Sequence, residues 1–596
     1  MNTASGLQVS IGQYSDKGRK DINQDFHGAC IPKAPQLASK GIAVALADGI
    51  SSSAVSQVAS ESAVTSFLDD YYCTSDAWSV KRSAQRVLAA TNSWLHAQNQ
   101  KSQFRFDKDR GYVCTLSALV IKSATAHLFH VGDTRIYRLH GSLAANGQAP
   151  ALEQLTADHR VWASPEQSYL GRALGITAQL EIDYLALPVE LGDVFILATD
   201  GVYEHTDAQC ITSAIQAHAN AQVAAQADAL DLAAKAIVQE AYRRGSSDNL
   251  TVQIVRVDAL LSQDSAEVQQ QRAGLPLPPI LEARAEFDGY QILRELRASS
   301  RSHVYLALDT DTQQQVVIKT PSIDLQGDAA YLDRFMLDEW VARRIHSAHV
   351  LKAFAATRKR HFLYVVMEFV DGQTLTQWMI DHPKPDLEAV RAIVEQIAKG
   401  LLAFHRMEML HQDLRPENIM IDRSGTVKII DFGSTQVAGL ADSTTASGGP
   451  DILGTLQYTA PEYFVGEAAT PLSDLFSLGV ITYQMLTGRL PYGTQVANSR
   501  TKAAQNKLVY ASALDAQRAI PAWMDGVLQR AVHPNPLKRY EALSEFTHDL
   551  RHPNVAYLNK TRPALLARNP LVFWRGLACV LALLVVVLLG VIRSLK

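Results

Sequence analysis

Cysteine is scarce in this chain. Its 596 residues hold five, Cys30, Cys73, Cys114, Cys210 and Cys579, with neither paired nor metal-ligand spacing. That pattern excludes a cross-linked secreted scaffold and leads us to expect buried thiols in a reducing compartment. Charge of one sign is lacking too: 56 Lys and Arg stand against 60 Asp and Glu, a net charge of −4. With no basic stripe interleaved with aromatics, no nucleic-acid partner is expected. The opening "MNTASGLQVSIGQYSDKG" lacks the basic-then-apolar order of an export signal, so none is expected. Long apolar runs are missing except at one place. From Gly576 to Ile592, "GLACVLALLVVVLLGVI" carries no charge, and Trp574, Arg575, Arg593 and Lys596 flank it. As a helix it rises about 25 Å, close to a bilayer's hydrocarbon thickness. A single transmembrane anchor over 571–596 is expected, with a buried soluble helix as the plainer alternative.

What is present argues for more than one folded unit. Apolar residues make up 47% and charged residues 19%, which suits packed cores, and the length exceeds what one core supports. Residues 259–285 turn polar and then proline-rich ("SQDSAEVQQQRAGLPLPP") and read as a linker. They divide a domain over 1–258 from another over 286–552, and 553–570 form a second linker before the anchor. Both halves mix β-rich runs with helical stretches, so the class is α+β and multidomain.

In the first half apolar runs end in aspartates: "ALADG" at Asp48, "ILATDG" at Asp200. "SSDNLTVQIV" opens on Asp248, and "INQDF" adds Asp25. Gathered carboxylates repel one another unless a cation sits among them, and hard divalent ions prefer oxygen ligands. For a lone Asp-Gly a simple turn is the plainer reading. With "GDTRIYRL", "LTADHR" and "GRALG", however, the ordered set resembles the PPM-type, protein phosphatase 2C-like family. The resemblance implies an αββα sandwich holding two or three Mn²⁺ or Mg²⁺ ions. It further implies that Asp25, Asp48, Asp200, Asp248 and the Gly49 carbonyl are ligands, with water as the nucleophile. Asp133 matches a looser third-ion position or a structural turn. Where the family places a phosphate-gripping arginine, this chain has Lys20 with Arg19 beside it, and "DGISSS" replaces a glycine-rich turn.

The second half carries "VVIK" (Lys319), "DEW", "HQDLRPEN" (Asp413, Arg415, Asn418), "DFG" (Asp431) and "APE" (Glu462) in order. Together they resemble the eukaryotic-like protein kinase family, which implies a bilobal fold binding ATP and Mg²⁺. The resemblance implies Lys319 on the α- and β-phosphates with Glu339 as its ion-pair partner. Asp413 would be the base, Asn418 and Asp431 the Mg²⁺ ligands, and Arg415 a cation at the γ-phosphate. Glu368 and Val370 of "MEFVDG" would form the adenine hinge, and Asp474 and Arg539 structural anchors.

One thing is absent where the family needs it. "RASSRSHVYLALD" (Arg297–Asp309) contains no glycine, and the pattern's glycines fall on Arg297, Ser299 and Ser302, ahead of Val304. Glycine serves there because backbone must approach phosphate and because some conformations have positive φ. The expectation is therefore an active Ser/Thr kinase with weakened nucleotide affinity, fused to a phosphatase on the cytoplasmic side of the inner membrane. An ATP-binding pseudokinase governing the phosphatase is the alternative, and a non-catalytic scaffold a third. Ser/Thr proteins and their phosphorylated forms are the expected substrates. Ser443, Thr444, Thr445 and Ser447 in "ADSTTASGG" are expected autophosphorylation sites.

Overall fold

The computed structural model describes residues 6–107, 110–140, 152–164, 167–219, 226–260, 275–355, 357–433, 435–438, 455–515, 518, 520–554 and 570–594. The segment with Ser443, Thr444, Thr445 and Ser447 lies outside them.

Period-two alternation builds the first half. In the strand Ile42–Ala47, Ile42, Val44 and Leu46 point to a second sheet, whereas Ala43, Ala45 and Ala47 point to helices. One five-stranded sheet runs Gln8–Asp16, Leu250–Ala259, Val194–Ala198, Arg135–Leu139, Leu152–Gln154 in spatial order. The other runs Asp183–Pro188, Thr125–Val131, Leu116–Lys122, Ile42–Ala47, Phe26–Cys30, and all pairings are antiparallel. The helices Ser56–Cys73 and Val80–Lys101 cover one outer face, and Ala208–Ala219 and Gln226–Arg243 the other. Ala at the helix-facing positions lets the layers close. The result is the αββα sandwich expected.

The second half is bilobal. A five-stranded sheet ending in Gln315–Pro321 and Val365–Glu368 packs with the helix Ala329–Arg344. Below it the long helices Leu387–Arg406 and Pro471–Thr487 form the larger lobe. Pro471–Thr487 shows how local rules set an element's ends: Thr470 and Ser473 make a capping box, Pro471 opens the helix, and Gly488 (φ 70°) closes it left-handed. Nearly all its side chains are buried, which matches its apolar composition on every face.

The chain ends in the helix Pro570–Ser594. Counted over the described residues, no helix is long and apolar enough to cross a membrane.

Two candidate active sites

Each carboxylate of the first half sits where a buried strand meets solvent. Asp48 follows Ile42–Ala47, Asp200 follows Val194–Ala198 across Thr199, and Asp248 precedes Leu250–Ala259. The neighbouring Asn249 ties the N-terminal loop to this end: its Nδ2 donates to the Lys17 and Ile22 carbonyls, and its Oδ1 accepts from Gln24 N–H. Asp25 is thereby carried beneath the strands, where its Oδ2 accepts from Thr199 (3.0 Å) and Thr251 (2.7 Å). Gly49 passes so close to Gln24 and Ser56 that a Cβ would lie 2.8 Å from the Gln24 carbonyl oxygen, so no larger residue fits.

The electrostatics of this cleft are unfavourable to its own carboxylates. Burial first, and then Asp133 and Asp248, raise the Asp200 pKa to about 7. Burial, opposed by bonds from Thr251 and Thr199, raises Asp25 to about 6. Asp48 is pushed well above the carboxylate range by burial and by Asp25 and Asp200. The Asp25 Oδ1 is buried with no hydrogen-bond partner. An oxygen-only donor set with an orphaned carboxylate oxygen fits a hard divalent cation. Among the described residues no three acids converge closely enough to hold one ion as they stand. Two cations extend between them instead. Arg160 contacts Asp133 (2.7 Å), Asp200 (3.0 Å) and Glu204 (3.0 Å), and Lys20 Nζ lies 3.3 Å from Asp248. Arg19 turns away, donating to the Gly245 carbonyl over the Tyr242 ring.

In the second half, Lys319 lies on an inner strand of the small lobe, paired with Val304 and Val365. Its Nζ is 2.6 Å from Asp338 and 3.1 Å from Asp431. The family pattern assigns the partner of Lys319 to Glu339, and the structure corrects this by one residue. Successive helical residues are rotated by about 100°, so only one of two adjacent acids can face the cleft. Glu339 is fully buried on another face, 2.8 Å from Arg360 and 3.9 Å from Arg343. Asp338 also accepts from the Phe432 N–H (2.8 Å), joining Lys319 to the "DFG" turn. The two carboxylates beside Lys319 diverge. Its ammonium draws the Asp431 pKa down to about 2, whereas complete burial outweighs the same ammonium at Asp338 and raises it. Burial works to lower the Lys319 pKa, but both acids together raise it.

Asp474 organises the catalytic loop by accepting from His411 N–H, Gln412 N–H and His405. Asp413, raised by burial, accepts from Asn418 Nδ2 (3.0 Å) and has Arg415 3.7 Å away. The Asn418 Oδ1 is buried without a hydrogen-bond partner and, with Asp431, fits a Mg²⁺ ion. Glu462 and Arg539 form a buried two-pronged ion pair (2.8 and 2.7 Å). Glu368 is held by Lys428 (2.7 Å), and Val370 is buried at the hinge.

The glycine-free loop is a tight hairpin between Tyr290–Ala298 and Ser302–Asp309. None of its residues from Arg297 to Ser302 has positive φ, so the turn never enters the conformation that favours glycine. The Ser299 hydroxyl accepts from the Arg301 and Ser302 amides, and Tyr331 of the helix Ala329–Arg344 donates to the Arg301 carbonyl. Sequence reasoning missed Asp338, Asn249, Arg160 and Tyr331. The acid adjacent to Glu339 was the available signal for the first.

Two family models match the chain: Protein phosphatase 2C over residues 13–230 and Protein kinase domain over residues 290–552. The serine/threonine-protein kinase PrkC of Bacillus subtilis is 30% identical over 269 residues, 44% of this chain and 40% of that protein. PknL of Mycobacterium bovis is 31% identical over 257 residues, 42% of this chain and 62% of its own. The chain thus spans less than two thirds of these relatives' lengths. Among solved structures, the PknI kinase domain of Mycobacterium tuberculosis is 26% identical, covering 46% of this chain and 98% of its own, at a TM-score of 0.35. PppA of Pseudomonas aeruginosa is 23% identical, covering 43% and 100%, at 0.33. The first matched segment covers the sandwich except for residues 8–12 of its first strand, the helix Gln226–Arg243 beyond 230 and its last strand, Leu250–Ala259; the second covers the bilobal unit from 290 on, and the chain is a fusion of a protein phosphatase 2C domain with a protein kinase domain.

Proposed function

We propose that this protein is a bifunctional signalling enzyme that phosphorylates and dephosphorylates Ser and Thr residues of proteins. The observation that carries the reading is that one chain assembles both the Lys319–Asp338–Asp431–Asp413–Asn418 constellation and the acidic cleft of Asp25, Asp48, Asp200 and Asp248. In the kinase half, Lys319 orients the α- and β-phosphates of ATP. Asp413 accepts the proton of the attacking Ser or Thr hydroxyl as the new O–P bond forms and the β–γ bridge breaks. Arg415 stabilises the charge on the transferred group. Asn418 and Asp431 would hold Mg²⁺. The loop's relaxed geometry and the intact Lys319 pair favour this reading over a pseudokinase.

In the phosphatase half, Asp25, Asp48, Asp200, Asp248 and the Gly49 carbonyl would hold Mn²⁺ or Mg²⁺, ions that supply charge neutralisation and an acidified water when bound. Lys20 stands at the cleft beside Asp248, placed to receive a substrate phosphate. The activation segment of the same chain is one proposed target of both activities, at Ser443, Thr444, Thr445 or Ser447. The two domains sit on the cytoplasmic face of the inner membrane, anchored by the C-terminal helix. Its described apolar side chains, Leu577, Val580, Leu581, Leu583 and Leu584 among them, are exposed, and such a face requires an apolar covering.

The test is mass spectrometry of the full chain after incubation with Mg-ATP, together with Mn²⁺-dependent release of phosphate from a phosphopeptide. Label transfer that ends in Asp413→Ala, and more phosphate on 441–449 in Asp200→Ala, are expected. Absence of transfer with intact hydrolysis would favour the pseudokinase. Deleting 571–596 should release the protein from membranes.

A further inference from the structure

The helix Ala329–Arg344 serves two masters. Along one stripe, Tyr331 and Asp338, two turns apart, act on the nucleotide cleft: Tyr331 bonds the Arg301 carbonyl of the loop, and Asp338 binds Lys319 and the Phe432 amide. Trp340, two residues past Asp338, is rotated by roughly 200° and faces the other way. That second stripe, Asp333, Trp340 and Arg344, is embedded in the phosphatase domain.

Its partners there are specific. Arg344 Nε lies 2.6 Å from Asp70 Oδ2, and Trp340 Nε1 donates to the Asp70 carbonyl (3.3 Å). Arg343 donates to the Tyr72 carbonyl (2.7 Å), and the Cys73 thiol reaches back to the Arg343 carbonyl. Asp70, Tyr72 and Cys73 are the last turn of Ser56–Cys73. At the other end of the stripe, Asp333 is paired with Arg82 and lies 3.8 Å from Arg86 of Val80–Lys101. Trp340 is fully buried, 6.1 Å from Trp78 of the phosphatase half, and the charged members Asp70, Arg343 and Arg344 are buried with it. Apolar surface alone tolerates sliding, whereas a buried set of paired charges fixes register, because any shift leaves a charge without its partner.

We propose that Asp70, Arg82 and Arg86 of the phosphatase domain are positioning residues for the kinase reaction: by gripping the outer face of Ala329–Arg344 they hold Asp338 on Lys319. Kinase turnover then depends on the phosphatase fold, in a region remote from the phosphatase's acidic cleft. The inference rests on the kinase half being catalytic, as argued above. Loosening the grip shifts the helix among orientations, and only the fraction with Asp338 inward turns over.

The test uses the full chain with Mg-ATP and casein, with Mn²⁺ and p-nitrophenyl phosphate as a check that the phosphatase fold persists. Arg82→Glu/Arg86→Glu is expected to lower kinase kcat about fivefold, the scale of a partly exposed ion pair. Adding Asp333→Arg to it should restore kcat to within about twofold of wild type by re-forming the pair in reverse. Asp70→Asn, which breaks the buried pair, should cost at least about tenfold. Hydrolysis of p-nitrophenyl phosphate should stay unchanged in all three. Wild-type kinase kcat in every variant, or no rescue by Asp333→Arg, would overturn the proposal. If wild type transfers no phosphate, the functional reading has failed and amide exchange over 329–344 decides instead. Faster exchange in Arg82→Glu/Arg86→Glu, reversed by Asp333→Arg, supports the grip, and unchanged exchange overturns it.

Discussion

The two clefts of this chain use the same residue, aspartate, under opposite electrostatic regimes. Around Asp48 and Asp200 the neighbours are other carboxylates and the pKa values rise. At Asp431 the neighbour is Lys319 and the pKa falls to about 2. Burial acts in the same direction at both, raising the carboxyl pKa, so its sign does not distinguish them. What differs is whether the fold supplies the counter-charge. The kinase cleft balances itself with a lysine on a central strand, while the phosphatase cleft relies on Lys20 and Arg160 from its rim and suits added cations.

That contrast can be attacked directly. The largest effects are expected from removing one acid on each side: Asp48→Ala should lower phosphatase turnover by roughly 10³-fold or more, and Asp431→Ala should abolish kinase transfer. Steady-state assays of both activities on each variant check this, and loss of both in either variant would show that the sites are not independent. Next is the choice between adjacent acids. Asp338→Ala should lower kinase kcat about 100-fold, with Asp338→Glu retaining part of it, because the Lys319 pair is lost and then partly remade. Glu339→Ala should instead act on stability, costing up to about 3 kcal/mol by taking from the buried Arg360 its nearest counter-charge and leaving it only the more distant Asp76. Denaturant titration of both variants separates these outcomes.

A third effect follows from the raised carboxyls. Asp25 and Asp200 have folded pKa values of about 6 and about 7, above the unfolded 3.8. Their contribution to stability is therefore fully present below about pH 4 and lost as pH rises through 6 and 7. Metal-free protein should thus lose melting temperature between pH 5 and 8 in its phosphatase transition. Since a cation needs the ionised form, added Mn²⁺ should raise that transition more at pH 8 than at about pH 6. Equal shifts at both pH values would contradict the scheme. Smaller still, Lys20→Ala should raise the phosphatase KM several-fold by losing one charge at the phosphate, with Arg19→Ala nearly silent. Smallest is Ser299→Gly, which frees the Arg301 and Ser302 amides and should leave ATP affinity unchanged or a few-fold tighter. Weaker binding would show that the serine's turn is the loop's working conformation.

Much of both sites was legible because the motifs are local. Asp413 and Asn418 are five residues apart and meet through one turn, and Asp48 and Asp200 each follow an apolar strand whose alternation places its end at the sheet's edge. The glycine-free loop leads to an expectation of weakened nucleotide affinity, and the structure adds that its hairpin keeps every residue from Arg297 to Ser302 out of positive φ, a property of turn geometry that composition does not encode.

Periodicity and short motifs were enough to lay out a phosphatase-like half and a kinase-like half, because each rests on residues near one another along the chain. The proline-rich stretch between them, read as a linker, instead packs Leu281 into the core of the kinase's small lobe and bonds its Pro276 carbonyl to the Leu363 amide. Which acid meets Lys319 was decided only in three dimensions. A helix turns about 100° per residue, and its rotation follows whatever buries its other faces. Here Trp340 and Arg344 sink into the phosphatase domain some 270 residues earlier in the chain, and that packing leaves Asp338, not Glu339, to face the nucleotide cleft.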